Sequence, residues 1–172
     1  MRHITLSILL GAALLNAGCS SLVSLRPAAS AEEAVSVPSL AGTWVDKEDK
    51  DFYVVREKTP GVYEIRYDNE KFEAIAFTIG AARYLDVRPL SEYPFQVPAH
   101  AIVRFWLNGA ELRWGFVDSE WIRARVAERK LAAVMVEKTM VLTDTTENVR
   151  AVLAEHGGSE LAYKDVTTLK RL

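Results

Sequence analysis

Polar and apolar residues alternate along most of the chain between residues 51 and 116. Successive side chains of a β-strand point to opposite faces of a sheet, so this alternation is typical of strands that bury one face. The runs are rich in β-branched and aromatic residues, and turn-forming residues separate them. The pattern predicts an antiparallel meander of six strands, at residues 51–58, 61–68, 71–80, 82–89, 101–107 and 111–116.

The most specific turn, Asn108-Gly109, predicts how the last two of these strands pair. Both residue types tolerate the positive φ angles of a type I′ hairpin turn. If these two residues form the loop, Arg104 lies opposite Arg113 on the outward face, and the apolar side chains share the other face. That core face would carry Val103, Phe105, Leu107, Leu112, Trp114 and Phe116.

The predicted arginine pair is a candidate binding site. Two arginines directly opposite each other repel, so a negative group should lie beside Arg104 and Arg113. One interpretation is a neighbouring acid, such as Asp86 or Glu73. The other is an anionic ligand or partner that both guanidinium groups hold, with Trp106 of the same face adding to the contact.

The chain after the meander changes to a helical pattern. Residues 118–130 and 143–158 are predicted helices, the second with Asp144 and Glu147 spaced as in a capping box, and residues 132–143 are a predicted strand. We therefore expect a mainly β fold with two helices. In it, the antiparallel meander forms a small barrel or a curved sheet, and a helix lies near the C-terminus.

The stretch LAGTWV is similar to the Gly-x-Trp element that opens the first strand of lipocalins, here Gly42 and Trp44. The resemblance implies an eight-stranded cup whose base is closed by Trp44. It also implies that the cup holds a lipid or another small apolar ligand. Side chains such as Phe105 and Trp114 would then line the cup.

The start of the chain has the layout of a bacterial lipoprotein signal. A basic start precedes an uncharged apolar run at residues 4–15, which is too short to span a membrane. The stretch LLNAGCSS resembles a lipobox, which implies cleavage before Cys19 and acylation of its thiol. Ser20, the next residue, implies an outer-membrane destination. The alternative is ordinary signal cleavage after AASA, residues 28–31.

These features divide the chain into three parts. Residues 1–18 are a predicted signal peptide, residues 19–39 a lipidated cysteine with a flexible tether rich in Ser, Ala and Pro, and residues 40–172 a single β-rich domain. We expect the mature protein to be a lipoprotein of the outer membrane that faces the periplasm. Since Cys19 is the only cysteine, its acylation would leave no thiol for a disulfide or a nucleophile.

Charge and motifs narrow the functional classes. The net charge is −2, or −3 once Arg2 is lost with residues 1–18, and no basic block occurs, so nucleic acid is not an expected partner. No enzyme or metal motif is found. His100 is interpreted as a hydrogen-bonded structural residue, with a catalytic or ligand role as the alternative. We expect a non-catalytic protein without a cofactor that has a binding or scaffolding role, and the alternative is a lipocalin-like carrier of a small apolar or amphipathic ligand. Its partner besides the membrane is an envelope protein or a small apolar ligand.

The predicted anchor can be tested by one substitution. We expect Cys19→Ala to block acylation and to abolish the membrane-bound mature form, because the thiol that carries the lipid is gone. Metabolic labelling with palmitate and fractionation of the envelope measure both effects. An unchanged membrane pool with an unchanged N-terminus would contradict the lipoprotein prediction.

Overall fold

The computed structural model describes residues 21–90 and 99–172, except for the side chain of His156, so the predicted signal peptide and Cys19 lie outside the described residues. Three short 3₁₀ turns lie at Ala31–Glu33, Pro38–Leu40 and Glu160–Ala162. The strands and helices, in chain order, are β1 (Ser21–Ser24), β2 (Gly42–Asp46), β3 (Phe52–Thr59), β4 (Val62–Tyr67), β5 (Glu70–Ile79), β6 (Ala82–Pro89), β7 (Ala101–Asn108), β8 (Glu111–Val117), α1 (Ser119–Ala127), β9 (Ala133–Val136), β10 (Thr139–Leu142), α2 (Thr146–His156) and β11 (Tyr163–Arg171).

Eight antiparallel strands close into a barrel. Strands β2 to β8 pair in sequence, and β11 pairs with both β8 and β2. The predicted mainly β fold with two helices is confirmed, and the meander forms a closed barrel rather than an open sheet. All six predicted strands are present, but the chain ends in β11, so the predicted C-terminal helix is followed by a strand.

The two ends of the barrel differ. At the turn end, residues 60–61, 80–81 and 109–110 make tight turns. At the loop end lie the connections β2–β3, β4–β5 and β6–β7, and the long insertion between β8 and β11, residues 118–162.

The lumen is filled toward the turn end. Five of its large side chains have no solvent-accessible surface, which leaves no room for a water molecule beside them: Trp44, Tyr63, Leu85, Leu112 and Leu169. Burial of each contributes roughly 1.5–3 kcal/mol to the free energy of unfolding. This half of the barrel is a packed core.

Trp44 is held in the lumen by the residues before β2 and by the last strand. Its Nε1 donates to the carbonyl oxygen of Leu40 over 2.9 Å. The Arg171 guanidinium lies 4.5 Å from the centre of the Trp44 ring and donates to the carbonyl oxygens of Ala41 and Ser39. The 3₁₀ turn before β2 is thereby fixed to the end of β11.

The insertion folds back on the outer wall of the barrel and creates a second core there. Asp118 caps α1, since its carboxylate accepts from the Trp121 backbone N–H over 2.7 Å. The contacts bury Ile122 of α1, Met140 and Leu142 of β10, and Val149, Val152 and Leu153 of α2 with Phe77, Tyr84 and Ile102 of the wall.

Two local predictions for the insertion are wrong. The single strand at residues 132–143 is a hairpin of β9 and β10, which turns at Glu137 with a positive φ of 54°. Thr145 caps α2 in place of Asp144, because the Thr145 hydroxyl accepts from the Asn148 backbone N–H. The Asp144 carboxylate instead accepts from the Ala132 backbone N–H, and so joins the hairpin to the helix.

The flexible tether predicted for residues 19–39 is wrong for the described part, residues 21–39. Residues 21–41, the N-terminal segment, follow the outside of the barrel. β1 pairs in parallel with β10 to make a small sheet in the order β1–β10–β9. Ala28 and Ala29 are buried against the outer wall. Their small side chains let the backbone of the segment approach the wall closely. Composition alone cannot distinguish such a packed segment from a linker.

The end of the N-terminal segment crosses the turn end. The Val35 N–H donates to the Ala76 carbonyl over 2.8 Å, and the Ser36 hydroxyl donates to Glu57 over 2.6 Å. The hydrogen bond from Ser36 and a second from the Gly61 N–H hold the pKa of the Glu57 carboxyl below its usual range. Gly61 is required here, because its φ is +78° and an added Cβ would lie 2.7–2.8 Å from Ala34 and the Val35 nitrogen.

Gly61→Ala tests the contact between the N-terminal segment and the barrel. The control is Gly80→Ala, since Gly80 also has a positive φ (+58°) but nothing within 4 Å of an added Cβ. We expect Gly80→Ala to cost about 1 kcal/mol in the free energy of unfolding from backbone strain alone. Gly61→Ala should cost at least about 1 kcal/mol more, because the N-terminal segment must move away. Denaturant unfolding measures both values, and equal losses would show that residues 34–35 do not press on Gly61.

Candidate functional site

The predicted facing pair of arginines is not formed. In the β7–β8 hairpin Asn108 pairs with Glu111, so the turn is Gly109-Ala110. Gly109 alone has a positive φ, as in type II′ turns, which place glycine first. The register therefore moves by two residues, and Arg104 lies opposite Gly115 while Arg113 lies opposite Trp106. The shift by two preserves the faces, so Val103, Phe105, Leu107, Leu112 and Trp114 do face the lumen.

Arg104 binds the C-terminal end of α2. Its Nη1 donates to the Gly157 carbonyl oxygen over 2.5 Å, and its guanidinium lies 4.8 Å from the Trp106 ring and 5.2 Å from the Tyr163 ring. The Tyr163 hydroxyl donates to the same Gly157 oxygen over 2.6 Å. The last carbonyls of a helix lack partners within the helix, and a cation is favourable beside them. A backbone carbonyl thus occupies the place predicted for an anionic ligand.

Trp106 and Arg113 belong to the same outer cluster, which consists of Arg104, Trp106, Arg113 and Tyr163. The Trp106 ring meets Tyr163 edge to face at 5.7 Å, and the Arg113 guanidinium lies 5.3 Å from the Trp106 ring. Arg113 also lies 3.6 Å from the exposed carboxylate of Glu160. Asp86 and Glu73 bind elsewhere, to His100 and Arg88. Every member of the outer cluster therefore has a partner within the fold.

His100 lies in the wall and is hydrogen-bonded. Its Nδ1 is 2.6 Å from one carboxylate oxygen of Asp86, and the other oxygen accepts from the Ala28 backbone N–H. The backbones of His100 and Ser24 exchange two hydrogen bonds of 2.8 and 2.9 Å. His100 and Asp86 thus attach the N-terminal segment to β6 and β7, which agrees with the structural interpretation of His100.

Trp114, the fourth predicted site residue, lies in a different place from the other three. Its ring faces the lumen and meets the Tyr53 ring edge to face, with 4.8 Å between centres. Tyr53 in turn stacks on Tyr67, also at 4.8 Å. Phe72 lies in the same lumen, and Phe116 shares the inward face of β8 but is 43% exposed. These five aromatic residues form what we call the mouth, in the loop-end half of the barrel.

The mouth is partly exposed, whereas the lumen below it is not. Tyr53, Tyr67, Phe72 and Trp114 are all half-buried. Accessible aromatic rings on the inward face of a barrel are typical of small-ligand sites. The mouth is therefore the arrangement of described residues best suited to bind an apolar group.

Carboxylates surround one side of the mouth. The Tyr67 hydroxyl donates to Asp51 over 2.7 Å, and this hydrogen bond raises the pKa of Tyr67. Burial raises the pKa of Tyr53 to about 12, and the negative charges of Asp51, Asp46 and nearby Asp49 add to the shift. The field at this side of the mouth therefore disfavours negative charge.

Sequence reasoning missed Tyr53, Tyr67 and Phe72 as site residues. The alternation placed each of them on one face of a strand, and closure of the barrel turned that face inward. Tyr53 and Trp114 come into contact only because closure of the barrel brings β3 and β8 near each other. No local sequence pattern contains that information. The only signal in the sequence was the pair of tyrosines on one face of β4, Tyr63 and Tyr67.

Within residues 21–90 and 99–172, no helix is both long and apolar enough to cross a membrane. The same ranges hold no group of three His, Cys, Asp or Glu side chains that could share a metal ion. Comparisons of the chain with protein-family models, with curated proteins and with solved structures found no match.

Arg104→Ala tests the role of the outer cluster. We expect a loss of about 2 kcal/mol in the free energy of unfolding, because the Gly157 carbonyl loses a charged hydrogen-bond donor. Arg113→Ala is the control. It should cost under about 1 kcal/mol, since Arg113 and Glu160 form an exposed, long ion pair. Thermal and denaturant unfolding measure the difference. Unchanged stability in Arg104→Ala would mean that Arg104 is free to act at the surface.

Proposed function

We propose that the protein is an anchored, non-catalytic binding protein of the bacterial envelope. Acylated Cys19 holds it in the outer membrane facing the periplasm, and the mouth takes a small apolar or amphipathic ligand. The observation that carries the proposal is the cluster of partly exposed aromatic rings at the mouth, above a lumen that is closed below. Aromatic faces bind apolar groups without demanding a particular hydrogen-bond pattern.

The depth of the mouth limits how much of a ligand can enter the barrel. Trp44, Tyr63 and Leu112 have no accessible surface, so a ligand cannot reach the turn end without displacing them. Native cores are close-packed and do not yield such space cheaply. The ligand is therefore held at the mouth, with a ring or the end of a chain against the exposed parts of the Tyr53 and Trp114 rings and its remainder outside.

The charges at the mouth restrict the polar end of the ligand. Asp46, Asp49 and Asp51 all raise the pKa of Tyr53, so an anionic group placed there would be repelled. The outer cluster offers no compensating cation, because the guanidinium groups of Arg104 and Arg113 are engaged on the other side of the wall. We infer that a polar end lying beside Tyr53 is neutral or cationic, whereas Lys164, which pairs with Phe116, places a cation at the β8–β11 side of the mouth.

The resemblance to lipocalins supports the same function. A closed eight-stranded antiparallel barrel and a tryptophan buried in its lumen both agree with the architecture that the Gly-x-Trp element at Gly42 and Trp44 implies. A surface scaffold based on Trp106 is less well supported, since the outer cluster uses its members within the fold.

Phe116→Ser tests the mouth without disturbing the core, because Phe116 is 43% exposed. We expect the mature protein extracted from envelopes to carry a reproducible extra mass in its native mass spectrum, released on denaturation. Loss of an aromatic contact should weaken binding by about tenfold in Phe116→Ser, which corresponds to about 1.4 kcal/mol, and so lower the bound fraction.

Phe52→Ser is the matched control, since Phe52 is 55% exposed and its neighbour Tyr53, not Phe52, faces the lumen. Its bound fraction should equal that of the wild type. A bare protein in all three samples, or an equal loss in both variants, would refute ligand binding at the mouth.

A further inference from the structure

The outward face of the small sheet is mostly apolar, since four of its six paired residues are valines. Alternate residues of its strands face the barrel, where Met140 and Leu142 are buried. The residues between them face away, and Val134 and Val136 of β9 are 51% and 56% exposed. The register sets Val23, Val141 and Val134 in one row across the three strands, and Ser21, Thr139 and Val136 in the next row.

Strand β9 is also an edge. Only β10 pairs with it among the described strands, and Met135 at its centre is 49% exposed. Proteins usually protect edge strands with charges, proline or a covering element, because an apolar edge invites association. Ala133–Val136 contains none of these protections. An apolar face joined to an apolar edge is the kind of surface that marks an interaction site.

The position of the predicted anchor identifies what covers this face. Ser21 begins β1 and lies in the same row as Val136. Only Ser20 separates Ser21 from Cys19, so the Cα atoms of Cys19 and Ser21 cannot be more than about 7 Å apart. Acyl chains on Cys19 would enter the bilayer, and the row of Ser21 and Val136 would then lie at the bilayer surface. The N-terminal segment leaves no tether that could hold the domain farther away.

We propose that the outward face of the small sheet, centred on Val134 and Val136, rests on the lipid bilayer beside the acylated cysteine. The inference depends on the lipid anchor of the proposed function and adds an orientation to it. The face and the acyl chains form two adjacent apolar contacts with the same membrane, and two such contacts anchor a protein more durably than one.

The contact is apolar rather than electrostatic. The β9–β10 turn carries one acid and one base, Glu137 and Lys138, so its net charge is zero. Attraction to anionic headgroups requires clusters of basic residues, which this face lacks. The contact should therefore be equally strong on zwitterionic and on anionic membranes.

The test uses the full chain, processed and acylated in its host, purified and reconstituted into phosphatidylcholine vesicles. Val136→Cys is labelled with an environment-sensitive fluorophore, and acylated Cys19 offers no competing thiol. Phe52→Cys is the matched control, because Phe52 has the same exposure as Val136 but lies on β3, across the barrel from β7, against which β1 packs. Lipids brominated near the headgroup quench a fluorophore only at the membrane surface.

We expect quenching at position 136 to exceed that at position 52 by at least about threefold, with and without phosphatidylglycerol in the vesicles. Adding Val134→Glu should lower quenching at position 136 by at least about twofold while palmitate labelling stays unchanged, because a charge on the face opposes burial in lipid.

The possible failures are distinguishable. Palmitate labelling at Cys19 with equal quenching at positions 136 and 52 would overturn the orientation and leave the anchor intact. A blue-shifted but unquenched fluorophore at position 136 would show that protein, such as a second copy of the chain, covers the face, and would also overturn it. Absence of the palmitate label would remove the anchor and this inference together.

Discussion

Ring closure by the last strand is the constraint on which the other features of the fold depend. Because β11 pairs with β8 on one side and β2 on the other, no strand of the barrel has a free edge. Closure requires the insertion at residues 118–162 to return to the place where it left, and a backbone hydrogen bond of 2.9 Å from Asp118 to Ala162 joins its two ends. The insertion must therefore bury its apolar residues on the wall beside it. This explains why Arg104 and Tyr163 are used to hold the end of α2.

One part of the barrel wall, which we call double-sided, consequently buries residues on both its inner and its outer face. The other, single-sided part buries residues only on its inner face. On β6 and β7, consecutive residues such as Tyr84 and Leu85 are buried, one toward the insertion and the other toward the lumen. On β3, the outward Phe52 is exposed. The mouth joins the two parts, since Tyr53 and Tyr67 come from the single-sided wall and Trp114 from β8. Elements with fewer buried contacts have a lower free-energy cost of local opening. The side of the mouth formed by Tyr53 and Tyr67 is therefore the one able to adjust to a ligand.

The accuracy of sequence reasoning here depended on the range of the interaction. Alternation located six strands and the faces of β7 and β8, because the side-chain period of a strand is local. The turn residues did not predict the register correctly. Gly109 is the first residue of the turn rather than the second, so Arg104 does not lie opposite Arg113. The N-terminal segment was read as a linker because Ala and Ser are common in linkers, yet Ala28 is buried and bonded to Asp86. The mouth required the closed ring, which is a property of the whole chain.

The parallel pairing of β1 with β10 has a mechanical consequence. A force that pulls the start of the chain acts along β1, and the hydrogen bonds of the β1–β10 ladder lie across that direction. Such a load acts on all hydrogen bonds of the ladder at the same time, whereas a load across the strands would break these hydrogen bonds one after another. Beyond the ladder, the His100–Ser24 bridge and the buried Asp86 carboxylate hold the segment at further points. Tension applied at the N-terminus is therefore carried by this ladder before it reaches the barrel.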